Sequence, residues 1–142
     1  MKKLLLLSLF VFVMSCQAQN KESAIDADDI NKAIESTNQW LGLVDSSHYG
    51  ESWENSSDLF QNAITKSSWI ETLEGIRTPL GKMITREIES KQYATSLPNA
   101  PEGEYVVIIY KTEFENRENS IETVTPMKDK DGKWRVSGYY IR

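Results

Sequence analysis

Residues 103–142 read GEYVVIIYKTEFENRENSIETVTPMKDKDGKWRVSGYYIR. Apolar and polar side chains alternate along most of this stretch, the period of a strand whose successive residues point to opposite faces. Two polar segments interrupt the alternation, Asn116-Arg117-Glu118-Asn119 and Asp129-Lys130-Asp131-Gly132. The Asp-Gly pair in the second favours a tight hairpin. The pattern predicts three antiparallel strands over residues 105–115, 120–128 and 133–141. In the first, Val106, Ile108, Tyr110, Thr112 and Phe114 alternate with Tyr105, Val107, Ile109, Lys111 and Glu113. Its first half is apolar on both sides, which predicts a central strand covered on both faces. In the last, Trp134, Val136, Gly138 and Tyr140 alternate with Arg135, Ser137, Tyr139 and Ile141. Gly138 inside a strand predicts a sharp bend or a close backbone approach.

The same period extends upstream, over residues 82–95. Ile84, Arg86, Ile88 and Ser90 are expected on one face, and Met83, Thr85, Glu87 and Glu89 on the other. Residues 97–103, with two prolines and a glycine, form the connection to the next strand. Before residue 82 the period is helical. Ile30, Ala33, Ile34, Thr37, Leu41 and Val44 predict a helix over 28–45, started by Asp26, Asp28 and Asp29 and broken by Asp45-Ser46-Ser47. Tyr49, Trp53 and Phe60 predict a second helix over 49–60. Thr65 is a fitting cap for a third, whose face is Trp69, Ile70, Leu73, Ile76 and Leu80 and whose end is expected near Arg77, ahead of Pro79. The tryptophans at these spacings read as core. The fold class is α+β: two to three N-terminal helices packed on a curved four-stranded antiparallel sheet.

The chain has 142 residues, 39% of them hydrophobic, enough for one domain with its own core. Lys2 and Lys3 precede an apolar run over residues 4–14, the length of a secretory signal and too short to span a bilayer. The run ends in Val13-Met14-Ser15-Cys16, which resembles the bacterial lipobox, where cleavage precedes a lipid-carrying cysteine. The expected organisation is a signal peptide over 1–15, the lipid-attachment residue Cys16 with a polar tether to 27, and a single domain over 28–142. Ordinary secretion with cleavage after Ala18 is the competing reading. Either route places the protein in the cell envelope of a bacterium, on the periplasmic side, as a membrane-anchored lipoprotein or as a soluble periplasmic or secreted protein. Loss of Lys2 and Lys3 takes Lys+Arg from 16 to 14 against 21 acidic residues, so the formal charge moves from −5 to −7. That balance disfavours nucleic acid, and it leaves the lipid as the expected membrane contact. Cys16 is the single cysteine, so no disulfide framework is expected.

Arg77, Arg86 and Glu122 stand out because Arg86 and Glu122 share strand faces with apolar residues, where a charge needs a partner. One reading is an internal ion pair that fixes sheet register. The other leaves an arginine facing a pocket, where its fork would bind a carboxylate or phosphate. Tyr93, Tyr110 and Tyr140 complete the candidate set as walls of such a pocket, with Tyr105, Tyr139 and Trp134 beside them. His48, the one histidine, falls in a loop among serines and is expected in solvent. Asp26, Asp28 and Asp29 lack the glycine and distal glutamate of a calcium loop. No nucleophile-elbow or Ser-x-x-Lys pattern is present. No metal, cofactor or catalytic set is predicted. The expectation is a non-enzymatic binding or interaction module for a partner protein or small ligand. The alternatives are an enzyme using Arg86, Glu122 and a strand tyrosine, and a homodimer formed through the sheet.

The run Trp40…Tyr49…Ser52-Trp53…Phe60…Trp69…Leu73…Arg77-Thr78-Pro79-Leu80-Gly81 resembles a bacterial family, domain of unknown function 4019. The resemblance continues through Arg86, Tyr93, Leu97-Pro98 and Pro101-Glu102-Gly103-Glu104-Tyr105-Val106-Val107. It closes with Glu122-Thr123-Val124-Thr125 and residues 131–142. It implies a small exported domain of unassigned biochemistry. The helix-then-sheet order is similar to the cystatin-like and nuclear transport factor 2-like superfamilies, which implies a cone-shaped sheet closed by helices; such a likeness carries no function by itself.

Overall fold

Four helices precede four strands in residues 26–142, the part described by this computed structural model. The expected signal peptide, Cys16 and most of the tether lie outside the described residues. The helices are α1 (Ala27–Asp45), α2 (Tyr49–Glu54), α3 (Asp58–Ala63) and α4 (Lys66–Leu80). The strands are β1 (Met83–Ala94), β2 (Tyr105–Phe114), β3 (Arg117–Lys128) and β4 (Trp134–Ile141). They pair antiparallel in the order β1-β2-β3-β4, so the fold is the expected α+β class.

The helix expected over 49–60 is two helices. Ser57 breaks it, because its N–H donates to Val136 O at 2.9 Å while its hydroxyl caps α3 by accepting from Phe60 N–H. Serine side chains favour such local bonds over a helix interior. Helix α4 continues past Arg77 and through Pro79 to Leu80. Its last carbonyls find donors in the β2–β3 turn: Asn116 N–H reaches Leu80 O at 3.0 Å and Asn116 Nδ2 reaches Pro79 O at 3.2 Å. Gly81 then reverses the chain at φ 72°, and a Cβ there would stand 2.8 Å from Glu115 Oε2. That turn is tighter than expected. β3 already starts at Arg117, and the surplus residue forms a bulge with Asn119 at φ 54°.

A second bulge decides which tyrosine faces inward. Thr125 pairs with Gly138 and Pro126 with Val136, which leaves one extra residue on β4. A one-residue slip sends every later side chain to the other face. Trp134 and Val136 therefore face the helices together with Tyr139, which pairs with buried Val124, whereas Tyr140 is 75% exposed. The alternation expected for β4 holds only up to this bulge. A Cβ at Gly138 would meet only Thr125, at 3.8 Å, so no close approach requires glycine and the bulge is the irregularity. β1 carries two irregularities of its own, between Met83 and Thr85 and between Ile88 and Ser90. The first leaves Ile84 59% exposed and the second brings Tyr93 opposite Val106 on the inner face.

The core lies between α1 and the inner sheet face. Ala33, Trp40, Leu41 and Val44 pack over Val106, Ile108, Val124 and Val136. Phe60, Trp69, Trp40 and Tyr139 form a contiguous aromatic cluster, with centroids 4.9 Å apart for Phe60–Trp69 and 5.4 Å for Trp40–Tyr139. Two buried indole N–H groups are anchored on α2 and the turn after it, while Trp134 Nε1 is buried without a partner among the described residues. Trp40 donates to Ser52 O and Ser56 Oγ at 2.9 Å each, and Trp69 donates to Ser52 Oγ at 3.0 Å. Such partners offset the cost of burying an indole N–H.

Helix α1 ends in a Schellman motif. His48 N–H donates to Leu43 O at 2.8 Å and Ser47 N–H to Val44 O at 3.1 Å, with Ser47 at φ 62°. Glycine is the usual residue there, since a Cβ in the left-handed region costs roughly 1 kcal/mol. Ser47→Gly is therefore expected to raise stability by about 0.5–1 kcal/mol, seen as a higher urea midpoint with an unchanged slope.

Candidate functional site

The side chains with the most chemistry meet where α1 ends. Arg86 on β1 points inward opposite Thr112 of β2. Both edges of its guanidinium are held. Nε and Nη2 donate to Glu122 at 2.6 and 3.2 Å, and Nη1 and Nη2 donate to Asp45 at 2.6 and 3.0 Å. Glu122 on β3 is fully buried and accepts two further bonds, from Thr112 Oγ1 and Tyr139 Oη, each at 2.6 Å. Asp45 also accepts from Arg77 Nη2 at 2.8 Å. The Arg77 guanidinium lies 4.8 Å from the centre of the Phe114 ring, and its Nη1 is 3.4 Å from Tyr139 Oη. One side chain from each of α1, α4, β1, β2, β3 and β4 joins this network. Two guanidinium groups and two carboxylates cancel in formal charge.

Burial alone would push Asp45 upward, but hydrogen bonds from Arg86 and Arg77 outweigh it and hold the carboxyl below its ordinary value. The same two carboxylates overcome the burial of Arg86 and raise it further. Burial, then the nearby Glu122 charge, pushes the Tyr139 hydroxyl well above the usual phenol range. Both arginines stay charged and Tyr139 stays neutral. It donates its proton to Glu122 and accepts from Arg77. Two polar atoms at the margin, Arg77 Nε and Ser120 Oγ, are buried without a partner among the described residues.

Arg77, Arg86 and Glu122 are thus brought together. Tyr110 faces the same interior at 2% exposure, but its hydroxyl donates to Asn38 Oδ1 at 3.3 Å, and burial pushes its pKa up to about 12. Tyr93 lies toward the far end of β1 and donates to Glu104 at 3.3 Å. Tyr140 stands on the opposite face, so the pair of candidates Arg86 and Tyr140 does not share a site. Sequence reasoning missed Asp45 and Thr112, and it set Tyr139 beside the candidate residues, not among them. Thr112 was readable, since it alternates in phase with Tyr110. Asp45 was hidden by its position at a helix end, and Tyr139 by the bulge.

Arg77, Arg86 and Glu122 line none of the described surface clefts, although Thr112 borders one formed by β1, β2 and β3. One of about 530 Å³ runs between the α1–α2 loop and α4. His48 faces solvent at its rim, its side chain 62% exposed and its Nδ1 3.5 Å from Glu51 Oε2. Among the described residues no group of three His, Cys, Asp or Glu side chains is placed to hold a metal ion.

A family model described as "Protein of unknown function (DUF4019)" matches residues 36–139. The chain belongs to this family. The matched span runs from α1 to β4 and includes every member of the ion network. Comparison with curated proteins gives no match, and neither does comparison with solved structures.

The carboxylates of this network are saturated: each oxygen already accepts from a charged or hydroxyl donor. Removing one member leaves its partners buried and unpaired, which costs about 3–5 kcal/mol. Glu122→Ala is expected to lose that much in urea unfolding, and a loss under about 1 kcal/mol would contradict the network. For Asp45 the sign follows from its lowered pKa. Its contribution is full above the unfolded-state value of about 3.9 and vanishes as pH falls through the lower native value. Asp45→Asn should therefore destabilise at neutral pH and flatten the acid limb of a stability–pH curve.

Proposed function

We propose that this chain is exported to the bacterial envelope, carries a lipid on Cys16, and serves there as a non-enzymatic binding module. The observation that carries the non-enzymatic part is the closure of the buried network. The Arg86 and Glu122 side chains are 9% and 0% exposed and hold each other. An enzyme of the rival kind needs these groups and a tyrosine to converge on an open pocket. Instead their hydrogen-bonding capacity is directed inward, so recognition falls to the surface. The export and lipid part is supported by the sequence of residues 1–16, with its two lysines, apolar run and terminal Val13-Met14-Ser15-Cys16.

Two measurements check the two parts separately. Phenylglyoxal modifies accessible guanidinium groups, so the native protein should react at exposed Arg117 and Arg142 while Arg77 and Arg86 stay unmodified. Rapid modification of Arg86 in the folded state would mean an open pocket and favour the enzyme. Mass spectrometry of the processed N-terminus should find a diacylglyceryl-modified Cys16, and an unmodified chain beginning at Gln19 would overturn the anchor.

A further inference from the structure

The β3–β4 hairpin carries a reactive dipeptide that the structure holds in an unreactive form. Asp131-Gly132 lies in the turn between Lys128 and Trp134. Glycine has no side chain to screen its main-chain nitrogen, and the position is open: at φ 80°, nothing stands within 4 Å of where a Cβ would be. In such a pair the Gly132 nitrogen can attack Cγ of Asp131. The attack needs an amide N–H released from other bonds. It also needs the carboxyl as its neutral acid, so that water is the leaving group, and a side chain turned to bring Cγ over the nitrogen.

Each requirement is opposed here. Gly132 N–H donates to Asp129 O at 2.8 Å. Arg135 lays its fork on the Asp131 carboxylate, Nη1 to Oδ1 at 3.0 Å and Nη2 to Oδ2 at 2.9 Å. Lys133 N–H donates to Oδ1 at 3.0 Å. The Arg135 bonds first, and the Lys133 N–H second, hold the Asp131 carboxyl well below the usual carboxylate range. Asp129 also accepts from Arg135 Nη1, at 2.8 Å, so the clamp is anchored on both sides of the turn. Asp131 is exposed, where an ion pair adds little to stability, so the effect of the clamp is chemical more than energetic.

We propose that Asp131-Gly132 is a self-modification site and that Arg135, as a positioning residue, sets its rate. When the clamp opens, the Gly132 nitrogen bonds to Asp131 Cγ, and the amide proton and the acid hydroxyl leave together as one water. Water then re-adds to the succinimide at either carbonyl. One product is the original aspartate, and the other is isoaspartate, whose main chain runs through Cβ. No oxidant or other reactant enters. The extra main-chain atom falls beside Trp134 and Val136, which are 5% and 0% exposed, so the modified turn no longer fits the register that buries them. The proposal stands apart from the binding-module reading.

The test is storage of the purified protein at about pH 5, where an ordinary aspartate is still partly protonated. Isoaspartate is read in the proteolytic peptide that spans residues 131–132 by electron-transfer fragmentation, which separates the two linkages at equal mass. Folded wild type should convert roughly tenfold more slowly than the same chain in urea, and Arg135→Gln should recover most of that factor while folded. Arg135→Lys, a single point charge, should fall between them. Arg142→Gln, at an exposed arginine away from the turn, should match wild type. Carbon-detected NMR titration of Asp131 Cγ is read independently of rate, and its pKa should return toward about 3.9 in Arg135→Gln. Equal rates in folded and urea-unfolded wild type would overturn the proposal. So would a wild-type rate in Arg135→Gln once Asp131 titrates normally. Val136→Ala loosens β4 and keeps the clamp, so a rise there equal to that in Arg135→Gln would assign the effect to unfolding and overturn it too.

Discussion

Arg86 is the interaction on which the arrangement of the layers depends. Its guanidinium is a planar fork held on two edges by two carboxylates, Asp45 at the end of α1 and Glu122 in the middle of β3. The helices pack chiefly on β2, β3 and β4, so the edge strand β1 lies off the helical layer. Arg86 ties that strand to the end of α1. Arginine suits the place because it stays charged and its donors are fixed in a geometry that matches two carboxylates at once. Lysine, a single point charge on a flexible stem, could not hold both. The network need not make the fold more stable than a hydrophobic substitute would, since desolvating the charges offsets much of their attraction. What it supplies is uniqueness. The four charges come from α1, α4, β1 and β3, with hydroxyls from β2 and β4, and a slip of any charged element leaves a buried charge without its partner.

The same constraint explains an otherwise unfavourable residue. Asp45 ends α1, where the helix dipole is negative and an acid is misplaced. Two guanidinium groups compensate it, and Ser47 accepts a left-handed conformation so that the chain can turn at that point into α2. Helix end, loop and ion network are one construction. Its other wall is aromatic: Tyr139 touches Trp40 and Trp69 with its ring and Glu122 with its hydroxyl, and so joins the apolar core to the polar one.

Much of this was readable in the residues, and what was not has a physical reason. Local signals carried well: the Asp-Gly hairpin, the Thr65 cap, the alternation of β2 and the helical stripe from Ala33 to Val44. The need of Arg86 and Glu122 for partners was also readable, because a charge in an apolar alternation demands one. Phase beyond a bulge was not. The extra residue on β4 is a property of pairing with β3, and the segment's own composition reads equally well either way, so Tyr140 was favoured where Tyr139 belongs. Asp45 was read as a helix breaker, since nothing local distinguishes a breaker from a ligand for a distant arginine. The split at Ser57 likewise depends on a carbonyl of Val136, far away in sequence.

These placements bear on what family membership can say. Trp40, Ser52, Trp69, Arg77, Arg86, Glu122 and Tyr139 are among the residues that carry the resemblance, and each is spent on the core or the ion network. In this chain those residues build the frame. They dictate how helices seat on a bulged sheet, and a frame of this kind does not dictate a ligand. His48, Glu51 and Glu74 lie outside that set and outside the core. All three are exposed and none joins the core cluster or the ion network, so the interior of this chain sets no requirement on their side chains.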